Sequence, residues 1–300
     1  IFMGTPDYAT VIFEELIKSS YDVVALFTQP DKKQGRKQVL TPPHIKQYCL
    51  DNNIELPIFQ PDTLKSEEVA QEIENFNADF IVVAAYGQIL PKRILDIVPC
   101  INLHASLLPL YRGASPIQSS ILNNDQFSGV TSMLMEEGLD SGDVLGLQYV
   151  EVTKEMDVAQ LFNFLSIAAA KLTINTLDNF DHIKSSKQNE SKVSHCGKIK
   201  KEDGQISLED AFDVYQTFKA YKYWPGVFLE SGLKIKECEI HEINSSNNMS
   251  EIIEITKDFI IVACKKGTLK ITKIQPPSKK EMLAVDYIRG QRLEIGNCLS

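Results

Sequence analysis

The chain has 300 residues, 43% hydrophobic and 24% charged, which suits an ordinary globular protein of one large domain or two smaller ones. A formal net charge of −9 argues against indiscriminate nucleic-acid binding, though not against a local basic surface. No apolar run approaches the roughly 18 residues of a membrane span, no secretory leader is read, and the six cysteines are scattered without a CxxC pair. A membrane anchor, a disulfide frame and a zinc site are therefore not expected, and a cytoplasmic location is.

In chain order, residues 1–3 end a buried strand, and Gly4-Thr5-Pro6-Asp7 turns into a helix over about 8–19, with apolar spacing at Val11, Ile12, Leu16 and Ile17. GxGxxG spacing is absent and Pro6 cannot donate to a phosphate, so a dinucleotide cofactor is rejected. YDVVALFT at 21–28 reads as a second strand. Residues 29–43 read as a polar, basic, flexible loop, either a solvated tether or a grip on an anion. A short helix over 42–50, a strand over 54–59 and a helix over 65–76 lead to FIVVAAY, whose lack of alternation suits a parallel strand covered on both faces. A short helix over 91–97 and a strand over 100–104 follow. Beyond them come a helix over 116–122, a strand over 129–135, an edge or antiparallel strand over 144–152, and a helix over 157–178. This alternation predicts an α/β fold, a mostly parallel Rossmann-like sheet in a first domain spanning 1–180. Residues 181–204 read as a basic surface linker. In 205–300, a helix over 209–218 precedes strands near 226–230, 233–241, 251–256, 259–264 and 268–274, the pattern of a small all-β barrel or sandwich.

The densest chemistry lies in NLHASLLPLYRGASPIQ at 102–118. Asn102 and His104 are two residues apart, so on an extended backbone both side chains leave on one face. The proline of SLLP then ends the strand, and Tyr111, Arg112 and Gly113 make a polar loop. Such a strand end is how an open α/β sheet builds a site at its carboxyl edge. The plainer alternative is a satisfied core histidine beside a turn asparagine. Asp140, in EEGLDSGDVL, would complete a site by orienting and charging His104, since neighbouring parallel strands bring distant loops to one sheet edge. Asp143 competes for that role, and capping a turn is the ordinary task of either aspartate. Asn, His and Asp together stabilise an oxyanion and move protons. No protein nucleophile accompanies them, Ser106 having no GxSxG setting, so direct transfer to a nucleophile on the substrate is expected. The five histidines are dispersed, and no metal is expected.

Positive charge is clustered in this acidic chain. Lys32, Lys33, Arg36 and Lys37 sit in the 29–43 loop, and Lys184, Lys187, Lys192, Lys198, Lys200 and Lys201 span 184–201. Lys265, Lys266, Lys270, Lys273, Lys279 and Lys280 follow one another with no acid between them. Each run is either a solvated face or a surface for an anionic partner.

Long ordered motifs carry a resemblance over essentially the whole chain: FMGTPDYA, VVALFTQPD, VVAAYGQILP, INLHASLLPLYRGASPIQ, GVTSMLMEEGLDSGDVL, GKIKKEDGQI, FKAYKYWPG and LKITKIQPPSKKEM. With them the chain resembles the methionyl-tRNA formyltransferase family, whereas HASLLP alone also resembles other folate-dependent formyltransferases. The resemblance implies Asn102, His104 and Asp140 as the catalytic group. It implies 10-formyltetrahydrofolate as co-substrate, held by Ser106, Leu107, Leu108 and Pro109 with Tyr86, Gly87 and Ile89 of the 84–90 segment. The implied acceptor is the α-amino group of methionyl initiator tRNA. It would be gripped by Lys32, Lys33, Arg36 and Lys37 of a basic insertion, by Lys198, Lys200 and Lys201 of the linker, and by an oligonucleotide-binding (OB-like) barrel at 205–300. A monomer without a metal is expected. HASLLP has alanine where the family commonly has glycine, and 181–197 matches poorly. Two rivals are formyl transfer to a ribonucleotide or sugar-nucleotide amine, and a non-enzymatic RNA-binding protein with an inactive transferase domain. The basic insertion and second domain argue against the first, and the intact Asn102, His104 and Asp140 against the second.

Overall fold

Apolar runs separated by amphipathic helices pair into one seven-stranded sheet in the first half of the chain. The computed structural model describes residues 1–35 and 37–299, in two units. The first comprises Ile1–Pro116, Phe127–Glu151 and Ala159–Cys196; the second comprises Ile117–Gln126, Val152–Val158 and the chain from Gly197 onward. Strands in the first unit are β1 (Phe2–Gly4), β2 (Leu26–Phe27), β3 (Lys32–Gln34), β4 (Val39–Thr41), β5 (Ile58–Phe59), β6 (Ile81–Ala84), β7 (Cys100–His104), β8 (Arg112–Gly113), β9 (Phe127–Leu134), β10 (Val144–Glu151) and β11 (His195–Cys196). Helices up to residue 178 are α1 (Asp7–Lys18), α2 (His44–Asp51), α3 (Glu67–Asn75), α4 (Lys92–Leu95), α5 (Pro116–Leu122), which belongs to the second unit from Ile117, and α6 (Val158–Asp178).

The large sheet runs β10-β9-β7-β6-β1-β2-β5. β6 pairs in parallel with β1 on one side and β7 on the other, and all four of its residues are buried, as its unbroken apolar run requires. Alternation sorts β1 onto two faces: the Phe2 ring lies 5.4 Å from Phe13 of α1, while Met3 joins Ala70 and Ile73 of α3 and Ile94 of α4. β9 and β10 are antiparallel to their neighbours, so the sheet is mostly parallel with an antiparallel flank.

Two expectations change. The 21–28 strand pairs only at Leu26–Phe27, because β1 and β5 offer it two partners each. The 29–43 segment is not an irregular loop: β3 and β4 form an antiparallel hairpin, with Lys32 opposite Thr41 and Lys33 opposite Leu40. At its foot the Asp31 carboxylate accepts from Gln60 at 2.7 Å and from Lys46 at 2.9 Å, which holds it below the usual carboxylate range.

The second unit contains α7 (Ala211–Tyr221), β12 (Val227–Phe228), β13 (Lys234–Ser246), β14 (Ile252–Ile255), β15 (Ile260–Ala263), β16 (Lys266–Gln275), β17 (Met282–Leu283) and α8 (Ala284–Gln291). Its six-stranded antiparallel sheet runs β12-β13-β16-β15-β14, with β17 beside β16. Buried polar groups on α7 draw in two earlier segments: Gln216 donates to the Ile121 carbonyl at 3.1 Å, and Lys219 to the Lys154 carbonyl at 2.7 Å. No described helix is long and apolar enough to cross a membrane.

Candidate active site

β7 delivers Asn102 and His104 onto one face, and both are buried, at 8% and 7% exposure. The route taken by Asp140 differs from the sequence expectation. β9 runs antiparallel to β7, with Asn102 opposite Met133 and His104 opposite Thr131, and Asp140 lies in the hairpin between β9 and β10. That hairpin reaches the Asn102–His104 face because Gly142 packs directly on the Leu134 carbonyl, where any Cβ would collide. Asp140 itself adopts the left-handed backbone conformation at φ +50, which for a residue other than glycine costs on the order of 1 kcal/mol or more.

One Asp140 oxygen accepts the Gly113 N–H at 2.9 Å and stands 3.7 Å from His104 Nδ1; the other stands 3.4 Å from the Asn102 amide nitrogen. The His104 distance is too long for a hydrogen bond, so Asp140 lies beside the ring without bonding to it. His104 Nε2 is 2.9 Å from the Tyr111 carbonyl. A carbonyl only accepts, so Nε2 carries a hydrogen and Nδ1 is the nitrogen turned toward Asp140. Asp143 takes no part: its backbone carbonyl accepts from Leu134 N, and its carboxylate accepts from Ser185.

The loop after β7 is held from an unexpected quarter. The residues at 185–196 read as linker because they are polar, and most of their side chains are exposed. The segment is nonetheless tied down by its backbone and by a few side chains such as Gln188 and Ser194. Ser186 and Val144 exchange two backbone bonds, Ser194 Oγ accepts from Tyr111 N at 2.8 Å, and β11 lies parallel to β8. Gly113, at φ +125, lies against the Cys196 carbonyl, where a Cβ would again collide. Buried Arg112 donates to Gln188 Oε1 at 3.0 Å and to Glu190 at 2.7 Å. Gln188 donates in turn to the carbonyls of Asp140, at 2.9 Å, and Gly142, at 2.8 Å. Sequence reasoning missed Gln188 and Glu190, and no spacing signal distinguished them from their polar neighbours.

The expected folate residues divide. The 106–109 turn is seated on β9: Thr131 Oγ1 accepts Leu108 N at 2.9 Å and donates to the Ser106 carbonyl at 2.6 Å, and Ser106 Oγ donates to the Leu110 carbonyl at 2.5 Å. Leu107 packs on Gly129, Leu108 is buried, and the Pro109 carbonyl accepts from Ser194 N. Tyr86, Gly87 and Ile89 follow β6, the parallel neighbour of β7. The Tyr86 ring turns into the core with Met3 and Phe27 instead of toward a slot, and burial pushes its hydroxyl up to about 12. Gly87 takes φ +87, and Ile89 is 80% exposed.

Among the expected RNA contacts, Lys32, Lys33 and Lys37 are exposed on the β3–β4 hairpin, and Arg36 lies outside the described residues. Lys198, Lys200 and Lys201 are exposed in the second unit. Four of the six lysines of the third run are paired in space: Lys265 with Glu209 at 3.4 Å, Lys266 with Asp210 at 2.8 Å, Lys270 with Glu239 at 3.4 Å and Lys273 with Glu237 at 3.1 Å. The described residues hold no group of three or more His, Cys, Asp or Glu placed to bind a metal ion, and none of the six cysteines forms a disulfide.

Residues 1–177 match the family described as formyl transferase, and residues 198–292 its C-terminal domain. A methionyl-tRNA formyltransferase of a Nitratiruptor species is 51% identical over 297 residues, covering 99% of this chain and 98% of the relative. That of Campylobacter lari is 52% identical over 299 residues, covering 100% and 98%. The chain belongs to the methionyl-tRNA formyltransferase family. In this family member the catalytic fold extends to more distant formyltransferases. The crystal structure of WlaRD, a sugar 3N-formyl transferase with dTDP and 5-N-formyl-THF, shares it at TM-score 0.66 and 16% identity, over 93% of this chain and 97% of that one. Residues 178–197, which carry Gln188, fall between the two matched stretches.

Proposed function

We propose that this chain transfers the formyl group of 10-formyltetrahydrofolate to the α-amino group of methionyl initiator tRNA, acting in the cytoplasm as a monomer. The observation that carries the reading is the convergence of Asn102, His104 and Asp140 on one face of β7, in a chain about half identical to named relatives over nearly its whole length. The trio fits a formyl group: an amide donor, an imidazole and a carboxylate converge on one face of the strand.

The folate co-substrate supplies an activated formyl carbon, to which the acceptor amine adds directly. The new C–N bond to the acceptor forms as charge gathers on the formyl oxygen, and the bond to folate N10 then breaks. Asn102 Nδ2 and a proton on His104 Nδ1 donate to that oxygen. His104 Nε2 is already committed to Tyr111, which leaves Nδ1, on the Asp140 side, for the substrate. Asp140 passes a proton from the attacking amine to N10 as it leaves. Loss of one such donor costs about 2.7–4 kcal/mol of barrier, or 10²–10³ in rate. The 106–109 turn, fixed on Thr131, supports the folate assignment by lying one turn from His104.

Lys32, Lys33, Arg36 and Lys37 of the hairpin segment, with Lys198, Lys200 and Lys201, would meet the RNA phosphates, since exposed cations grip an A-form helix by its backbone. The deciding experiment is a formyl-transfer assay with methionine-charged initiator tRNA, charged elongator tRNA and a sugar-nucleotide amine as acceptors. Preferential transfer to the initiator supports the reading, and transfer only to the sugar amine refutes it.

A further inference from the structure

We infer that Gln188 is a positioning residue for Asp140, an inference that rests on the catalytic reading of Asp140. Three observations carry it. First, Asp140 holds a left-handed backbone in the β9–β10 hairpin turn, so its carboxylate stays on the Asn102–His104 face only while that turn keeps its shape. The Gly113 N–H fixes one carboxylate oxygen, but no bond within the side chain restrains the backbone from which it hangs.

Second, the Gln188 amide supplies that restraint. Its Nε2 has two hydrogens, and both are spent on this turn, at the Asp140 and Gly142 carbonyls, 2.9 Å and 2.8 Å away. Third, Gln188 is oriented. An amide can flip by exchanging its oxygen and nitrogen, but Arg112 Nε donates to Oε1 at 3.0 Å, and a flipped amide would set N–H against N–H. Glu190 holds the far edge of the same guanidinium. The chain of contacts Glu190–Arg112–Gln188–Asp140 therefore runs through one buried arginine and one glutamine of 9% exposure. Every bond in it has one allowed polarity.

Gln188 touches no reacting atom in this arrangement. Its effect passes through Asp140, so it acts on kcat and not on the binding of either substrate. Outer groups that orient reacting ones typically carry about 10–100-fold of activity.

The test uses the full chain with Gln188→Glu, which keeps the acceptor for Arg112 but replaces both donors with an oxygen facing two carbonyls. The readouts are kcat and both KM values in formyl transfer to methionyl initiator tRNA, beside Asp140→Asn and the double variant. The inference expects kcat to fall about 10–100-fold, both KM values to stay within about twofold, and the double variant to be no slower than Asp140→Asn alone. Multiplying losses would mean that Gln188 acts elsewhere and would overturn it, as would a raised KM at unchanged kcat. Wild-type kcat in Gln188→Glu with a slow Asp140→Asn would refute the role of Gln188 while leaving the catalytic reading intact. Wild-type kcat in Asp140→Asn would remove that reading and the inference together. If Gln188→Glu does not fold, Gln188→Leu, of similar size and without donors, carries the same expectations.

Discussion

The neighbourhood of His104 and the lysine face of β13 and β16 both assemble charged and polar groups, and they use them oppositely. Around His104 the groups are buried and convergent, and each bond fixes one atom: Tyr111 fixes Nε2, Gly113 fixes an Asp140 oxygen, and Gln188 fixes the turn beneath it. On β13 and β16, Lys270 and Lys273 meet Glu239 and Glu237 across the strands at 3.4 Å and 3.1 Å, and the pairs are open to solvent. Exposed pairs of this kind are worth about 0–1 kcal/mol each. A run of charge in a sequence is therefore not the same as charge in space. The 265–273 lysines are paired with acids on β13 and just ahead of α7, whereas Lys198, Lys200 and Lys201 remain exposed.

The greatest loss is expected at the buried end. Asn102→Ala should lower kcat about 10²–10³-fold, with far-ultraviolet circular dichroism and tRNA binding unchanged. A loss confined to KM would place Asn102 in substrate binding. Gly113→Ala tests how tightly the loop is built, because a Cβ there would strike the Cys196 carbonyl from a backbone at φ +125. It should cost about 2–4 kcal/mol of stability by urea unfolding. On the surface, replacing Lys198, Lys200 and Lys201 by Ala should raise KM for tRNA several-fold, leave kcat alone, and flatten the salt dependence of binding by roughly one unit per lysine that meets a phosphate. The same change at Lys265, Lys270 and Lys273 should barely move KM and shift stability by less than about 1 kcal/mol. Equal effects from the two lysine sets would erase the contrast between them.

Much of this was legible in the sequence, for physical reasons that vary by element. β6 announces itself by four consecutive buried apolar residues, and the Asn102–His104 pair by the two-residue period of a strand. Strand direction left no such mark. Nothing in the composition of β9 says that it runs antiparallel to β7, so Asp140 was expected from the wrong kind of connection. The β3–β4 hairpin was missed because β3 is wholly polar and the two apolar residues of β4, Val39 and Leu40, are exposed, so no buried face marks either strand. The grip of Gln188 was illegible in principle, since a glutamine that bonds two buried carbonyls has the same letter and neighbours as one that faces water. The RNA-facing half of the reading came from the resemblance, and the ion pairs at 265–273 narrow where that half can lie.

In the proposed mechanism, direct formyl transfer to an aminoacyl-RNA amine depends above all on His104 beside Asp140. Single-turnover formylation of methionyl initiator tRNA by the intact chain and by His104→Ala, at saturating 10-formyltetrahydrofolate, isolates that dependence. Transfer by the intact chain and a fall of about 10³-fold in the variant are expected. Transfer by His104→Ala at a rate near that of the intact chain would contradict the mechanism.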